Sequence, residues 1–411
     1  MIKALSETPP RELLSSQQSD LMEFQGKHWE VTTLVGSMAM SGYEDGPVSS
    51  AKLTAPVCLA YGQKTDSIYF TDVFLNTVRK LHLDGNRVST YSGTPKRKNE
   101  RMKGFGPHQW STREPQEYAE PFYIAADAEE NLYVGDSLNF RVAKVTPDGK
   151  AHLFAGPLPH DGEPGQIDGK QFKGRFQTVN GVFPDDHGNV YVMDSLSRSL
   201  VTLRGDIEWG KRKLRCGRHL VVDKDDNVYV SIYDGPHDEW ERHRKITEDS
   251  HCIKKITPGG QISMFAGSGN WGHLDGQLSR ARFRSPSQMA IAPDRTIYVS
   301  DSGNNCIRAI TPNNFVHTLA GSRELSAKVD GPARQAGFSC PHGITVDPVG
   351  NIYVGDTDSR AIRKISPAKP YIPESKEEDE EEGWRKAATK TIESAQARGT
   401  LDNHEDDDVL F

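Results

Sequence analysis

Six polar residues stand out for the chemistry their types allow: Asn180, Arg218, His219, Ser287, Gln288 and His342. An arginine fork can grip a carboxylate or phosphate through two parallel bonds, and a histidine can take or give a proton near neutral pH. Gathered together, they would form a polar ligand site with one anion clamp and two proton carriers. A second reading is equally concrete: such groups can simply bond one another and ordered water. The six are scattered over half the chain. Only a fold that returns repeatedly to one place can bring them together.

The chain has such a plan, because it repeats one phrase six times. The clearest copy, residues 336–365, reads AGFSCPHGITVDPVGNIYVGDTDSRAIRKI; residues 121–145 and 285–310 are plain variants. Each copy has an apolar run ending near an Asp, then a turn such as Gly350-Asn351 or Asp226-Asn227, a hairpin signal between strand-like runs. A β-branched and aromatic run follows (IYVGD), then a third run (IRKI) whose alternating charges predict a strand with one wet face. A fourth run, VHTLAG at 316–321 or ISMFAG at 262–267, completes the unit.

The second runs end at Asp72, Asp136, Asp194, Ile232, Asp301 and Asp356. Four strands in tandem at roughly 40–50 residues predict propeller blades around an axis. The last copy lacks its fourth strand, and VTTLVGS at 31–37 supplies one at the other end of the chain. The expected fold is therefore all-β: a six-bladed β-propeller of four-stranded antiparallel blades, closed by the N-terminal strand completing the last blade. Closure of this kind removes free sheet edges. Aligned on the start of the innermost strands, Val57, Phe122, Asn180, Arg218, Ser287 and His342 form one ring at the axis, and Cys58, Tyr123, Gly181, His219, Gln288 and Gly343 the next. The recurring Asp residues read as turn acceptors rather than a metal ring, since a catalytic carboxylate has no need of five copies.

The strings DGPVSSAKLTAP (45–56), DGQLSRARFRSP (275–286) and DGPARQAGFSCP (330–341), with a weaker DGKQFKGRF (168–176), each lead into a copy of the repeat. In this the chain resembles the NHL-repeat family over most of residues 31–366. The resemblance implies a propeller; its members host protein binding, RNA binding, sensing and some lyase or hydrolase chemistry, so it does not fix function. The amidating lyase, a six-bladed propeller of similar fold, holds zinc with several histidines on inner strands. Here His342 and His219 have no evident third partner, and a catalytic zinc site takes three protein ligands. There is no GxSxG elbow, HExxH or P-loop. No metal and no cofactor are expected, and the sequence offers no positive ground for catalysis.

Composition fits a turn-rich β protein: 37 glycines in 411 residues, above the norm of roughly 7%. Residues 1–30 read as a flexible arm and 31–366 as the propeller. Residues 367–411 read as an acidic flexible tail with a short helix around Trp384. The tail holds 6 basic and 13 acidic residues, accounting for the net −7 of the whole chain. The five cysteines have no CxxC spacing, which favours buried thiols and a cytoplasmic or nuclear setting. No run is long enough to span a membrane. Basic loops at 96–113 and 211–218 interleave with Trp110 and Trp209 and could meet RNA, but a formally neutral ring disfavours nucleic acid.

The longest departures from the repeat are 94–120 and 233–250, the latter carrying Trp240. Long loops on a rigid scaffold commonly carry recognition. The leading expectation is a monomeric, non-catalytic scaffold propeller that binds a protein partner through its long loops (Trp110, Trp240) and tail (Trp384). The alternatives are a small-molecule-binding or lyase/hydrolase-type propeller with the axial site, and an RNA-binding propeller.

Overall fold

The structure, a computed structural model, describes residues 28–95, 115–156, 176–195, 199–204, 210–214, 217–233 and 250–368. Trp110, Trp240, Trp384, the acidic tail and the basic loop at 96–113 lie outside these residues. Six antiparallel sheets are present. Their innermost strands are Pro56–Gly62, Pro121–Ala126, Val179–Pro184, Gly217–Val222, Pro286–Ile291 and Pro341–Val346, one for each of blades 1 to 6. Each packs against the inner strand of the next blade, and that of blade 6 against that of blade 1.

The ring closes as the sequence requires. Trp29–Gly36 pairs antiparallel with Ala361–Pro367, in a register that sets Val31 opposite Ile365. Val31, Ile365, Phe338 and Ile344 share one buried cluster, so the first strand is part of the core of the last blade. At the closing seam a side chain on Gly343 would meet the Val57 carbonyl oxygen at 2.5 Å. Only glycine allows the two inner strands to approach so closely.

Among the described residues, three blades have five strands rather than four. The short strands Gly46–Pro47, Gly276–Gln277 and Gly331–Pro332 cover the outer edges of blades 1, 5 and 6. The glycines sit at φ of 140°, 139° and 122°, as the Asp-Gly turns predict. Their aspartates, however, do not bond only locally. Asp45, Asp275 and Asp330 accept the backbone N–H of Thr90, Thr318 and Thr33 on the strand they cover.

The expected wet face of the third strand is also revised. In IRKI, Lys364 is partly exposed but Arg363 is fully buried. Arg363 donates to Asp356 at 2.9 Å and to Asp330 at 2.6 Å, and to the carbonyls of Gly337 and Val329 at 2.9 and 2.8 Å. Its guanidinium lies 5.0 Å from the centre of the Phe338 ring. Arg79 and Arg308 repeat this arrangement with Asp72 and Asp45, and with Asp301 and Asp275. In blade 2, Arg141 reaches Asp136 from two residues earlier on its strand. The recurring Asp is thus structural, but in blades 1, 2, 5 and 6 its partners include a buried arginine as well as turn N–H groups.

Another correction concerns Lys211, Arg212 and Lys213. They do not lie in an irregular stretch: Gly210–Lys213 is the outer strand of blade 3, paired with Ser199–Arg204.

Candidate functional site

The inner strands begin at one face of the ring, here called the upper face, and run toward the lower face. The predicted ligand residues sit on their first positions, and the structure brings most of them to the axis. Arg218 donates to Ser287 Oγ at 3.1 Å and stacks on Tyr233, 4.6 Å from the ring centre. Ser302 Oγ is 2.8 Å from Ser287 Oγ and 2.6 Å from the Pro341 carbonyl oxygen. Asn180 accepts from Thr178 Oγ1 at 3.3 Å. This is a polar mouth in which an aromatic face holds the Arg218 cation in place.

Beneath it the axis is filled. Gln288 crosses from blade 5: Oε1 accepts from the N–H of Leu59 and of Ile344, each at 2.9 Å, and Nε2 donates to the Leu59 carbonyl at 2.7 Å. One amide therefore ties together blades 1, 5 and 6. His219 Nδ1 accepts the Met289 N–H at 3.3 Å. Cys58 Sγ donates to the Ile124 carbonyl at 3.5 Å and accepts the Ile124 N–H at 3.3 Å. Tyr123 lies with its ring centre 6.0 Å from that of His219 and 6.3 Å from that of His342. Gln288 and His219 thus each bond backbone groups of other blades. His342 is half satisfied: it bonds the Val57 backbone, but among the described residues its buried Nδ1 has no hydrogen-bond partner.

Electrostatics at this floor favour neutral groups. Burial holds His219 down to about 3 and, with the nearby Arg218 and His219, His342 to about 3. Burial pushes Tyr123 and Cys58 up to about 12. At neutral pH all four are uncharged. None is poised near 7 as an efficient acid or base would be. The two histidines give a pH prediction. Their folded values lie below the unfolded value near 6.5, so the unfolded chain binds more protons. Stability is full above about pH 6.5 and falls progressively as pH drops toward 3. Denaturant midpoints measured across this window are expected to fall with acid, and His219→Gln with His342→Gln is expected to flatten the slope. An unchanged slope would contradict the assignment.

Gln288→Ala leaves two buried N–H groups and one carbonyl without partners. The expected cost is about 3 kcal/mol, since each buried orphan costs roughly 1–3 kcal/mol before water relieves it. Urea denaturation checks this.

At the lower end lies a cavity of about 750 Å³ whose walls include Leu59, Ile124, Phe183, Val221, Met289 and Ile344. The sequence reading placed the ligand site only at the upper mouth and did not foresee this one. Two of its carboxylates are already committed: Asp127 holds Asn131 and Tyr133, and Asp223 holds Asn227 and Tyr229. No cluster of three or more metal-binding side chains occurs among the described residues. The four described cysteines are free thiols.

Tyr233 was missed, and a sequence signal for it exists. The residue after each second-strand terminus is Ser137, Ser195, Ser302 and Thr357 in blades 2, 3, 5 and 6. Each hydroxyl donates to the backbone carbonyl that opens the next inner strand: Val179, Gly217, Pro341 and Pro56. Blade 4 has Tyr233 in this slot, which frees an aromatic ring to support Arg218.

Ring closure, blade count and buried Asp–Arg ties define the class: a six-bladed β-propeller with a stoppered axis. The family model for the NHL repeat matches residues 338–365, which are the first three strands of blade 6. The last blade thus carries an NHL repeat. The chain is similar to the protein suppressor of quenching 1, chloroplastic, of Arabidopsis thaliana, 23% identical over 84% of this chain and 28% of that one. It is also similar to NHL repeat-containing protein 2 of Gallus gallus, 23% identical over 79% of this chain and 40% of that one. The chain thus spans well under half the length of these relatives. Among solved structures it resembles an auxiliary nutrient binding protein from Bacteroides ovatus, with 17% identity, a TM-score of 0.61, and coverage of 84% and 78%. At that identity the likeness concerns the fold.

Proposed function

We propose that this chain is a non-catalytic binding propeller that holds a protein partner on its upper face. The observation that carries this reading is convergence. Ile232 pairs with Gly217, the first residue of an inner strand. The segment that follows Tyr233 and returns at Ser250 therefore leaves and rejoins the ring at the upper face. Ser92 pairs with Val78, next to Thr77, which faces Asp72, and Asp72 faces Pro56. The connection that leaves the ring after Ser92 starts at the same face. Arg218 and Tyr233 occupy the centre of that face, and Phe74, on the turn after Asp72, is exposed there. A propeller uses such a surface for recognition.

The neutral, internally bonded groups below the mouth support a role without chemistry. The test is affinity capture from native lysate, comparing the full chain with one in which residues 234–249 are replaced by a short turn, and with Arg218→Ala. Loss of one and the same partner from both variants supports the reading. A partner retained equally by all three overturns it. A small anionic ligand at the mouth is the second reading, favoured by Arg218, which among the described residues spends one N–H, on Ser287. A rise in the thermal midpoint with citrate or inorganic phosphate that Arg218→Ala abolishes would favour it.

A further inference from the structure

Blade 4 differs from blades 1, 5 and 6 at its outer edge, and the differences coincide. In those three blades a short Asp-Gly strand covers the outermost strand. The cover is fixed by one set of residues: the second-strand Asp, the buried Arg, and a Thr facing that Arg across the sheet. The pairs are Arg79↔Thr90, Arg308↔Thr318 and Arg363↔Thr33. In each, the Thr N–H points away from the sheet to the aspartate of the cover. In blade 4 the corresponding residues are Ile232, Lys254 and Met264, with Lys254↔Met264 in register.

No described residues cover that edge. The segment before the inner strand of blade 4 is Gly210–Lys213, already paired into blade 3. Among the described residues the strand Ile262–Ala266 ends its sheet. Two of its three exposed residues are apolar, Ile262 at 38% and Met264 at 39%, with Ser263 between them. Beside it runs a groove of about 610 Å³ lined by Met264, Phe265, Gln277, Leu278, Asn313 and Asn314. Free edges are usually blunted by charge, proline or a covering segment. None of these is present on Ile262–Ala266 among the described residues.

We propose that this edge accepts an extended segment of a partner polypeptide as a fifth strand of blade 4, with apolar side chains at alternate positions. Strand geometry is what the other blades place at this position. The exposed Met264, where the covered blades have a threonine that meets an aspartate, and the exposed Ile262, where they have the buried Val88, Val316 and Val31, call for apolar side chains in the added strand, one of them seated between Phe265 and Leu278. Main-chain bonds would supply affinity and the alternate side chains selectivity. A second copy of the ring is disfavoured, because a five-residue edge buries far less than the roughly 1,200–2,000 Å² of a stable interface. This site lies at the outer edge of one blade and is independent of the upper-face reading.

Two measurements on the full chain test it. In residue-resolved hydrogen exchange, the amides of Ile262 and Met264 are expected to exchange at least about 100-fold faster than those of Val316 and Thr318, their covered counterparts. Equal protection would mean the edge is already covered within the chain and would overturn the proposal. The second is selection of random peptides of about twelve residues displayed on phage. Enriched peptides are expected to alternate apolar residues and to lose at least about tenfold in affinity against Met264→Pro, which removes an outward N–H but no ladder bond to the strand Cys252–Ile256. Met264→Lys serves the same purpose should the proline variant fail to fold. Absence of such peptides, or binding that neither variant weakens, overturns the proposal. So does concentration-dependent dimerisation abolished by either variant, which would assign the edge to a second copy.

Discussion

Replacing Arg363 by methionine is expected to lower the unfolding free energy by about 3–5 kcal/mol, the scale for removing one partner of a buried ion pair. The arginine is fully buried and serves four acceptors: two carboxylates and the carbonyls of Gly337 and Val329. The methionine would fill similar space over Phe338 but donate nothing. Asp356, completely buried, would keep the Ser339 N–H and lose its cation. Burial already raises its pKa against the pull of Ser339 and Arg363, so without Arg363 it should take up a proton more readily. Asp330 differs. Burial raises it, but the N–H and hydroxyl of Thr33 together with Arg363 outweigh this and hold it below the usual carboxylate range. The loss should therefore be felt in two places, the blade core and the clasp on the N-terminal strand. Guanidinium denaturation of the variant beside the wild type checks the size. A change below about 1 kcal/mol, the ceiling for typical exposed pairs, would show that the arginine is not sealed.

A larger effect is expected from removing the closing strand. A chain starting at residue 38 lacks the seven register pairs between Trp29–Gly36 and Ala361–Pro367. It loses the burial of Val31 and Val35, roughly 2 kcal/mol each. It also uncovers Ile365 and Phe338 in the cluster they share with Val31, and leaves Asp330 without Thr33. A blade missing its outer strand exposes a long edge, a template for aggregation. The truncated chain is expected to show no cooperative thermal transition, and a synthetic peptide of residues 28–37 should restore one. A truncated chain that melts cooperatively at the original temperature would contradict this.

The fold was legible because it is written six times. A repeat averages out local noise, so the turn pairs, the second-strand run and the missing last strand could be read from residue types alone. The extra strands at Gly46–Pro47, Gly276–Gln277 and Gly331–Pro332 were not, because a two-residue strand has no periodicity to detect. The burial of Arg79, Arg308 and Arg363 was hidden for another reason. Alternating charge normally marks a wet face, and only the aspartates of two distant segments make an interior arginine tolerable.

The axial site was half legible. Alignment of the copies gave the correct rings, since equivalent positions in a propeller must fall at equivalent radii. It could not separate Gln288, whose amide is consumed by Leu59 and Ile344, from Arg218, which is not. That distinction depends on how far each side chain reaches across the axis. Blade 4 is where local reading and repeat disagree most. Ile232, Tyr233, Lys254 and Met264 all depart from the pattern, and both proposals draw on that blade.

Every axial and edge assignment depends on the ring being shut by its first strand. The register sets Thr32 opposite Lys364, on the side of the strand away from the core. The most direct test is therefore the double variant Thr32→Cys with Lys364→Cys in the full chain, oxidised at low concentration and examined by non-reducing electrophoresis. A monomeric species of altered mobility, absent from each single variant and reversed by reductant, is the predicted result. Failure to form it, or a crosslink only between separate chains, would contradict the closed ring.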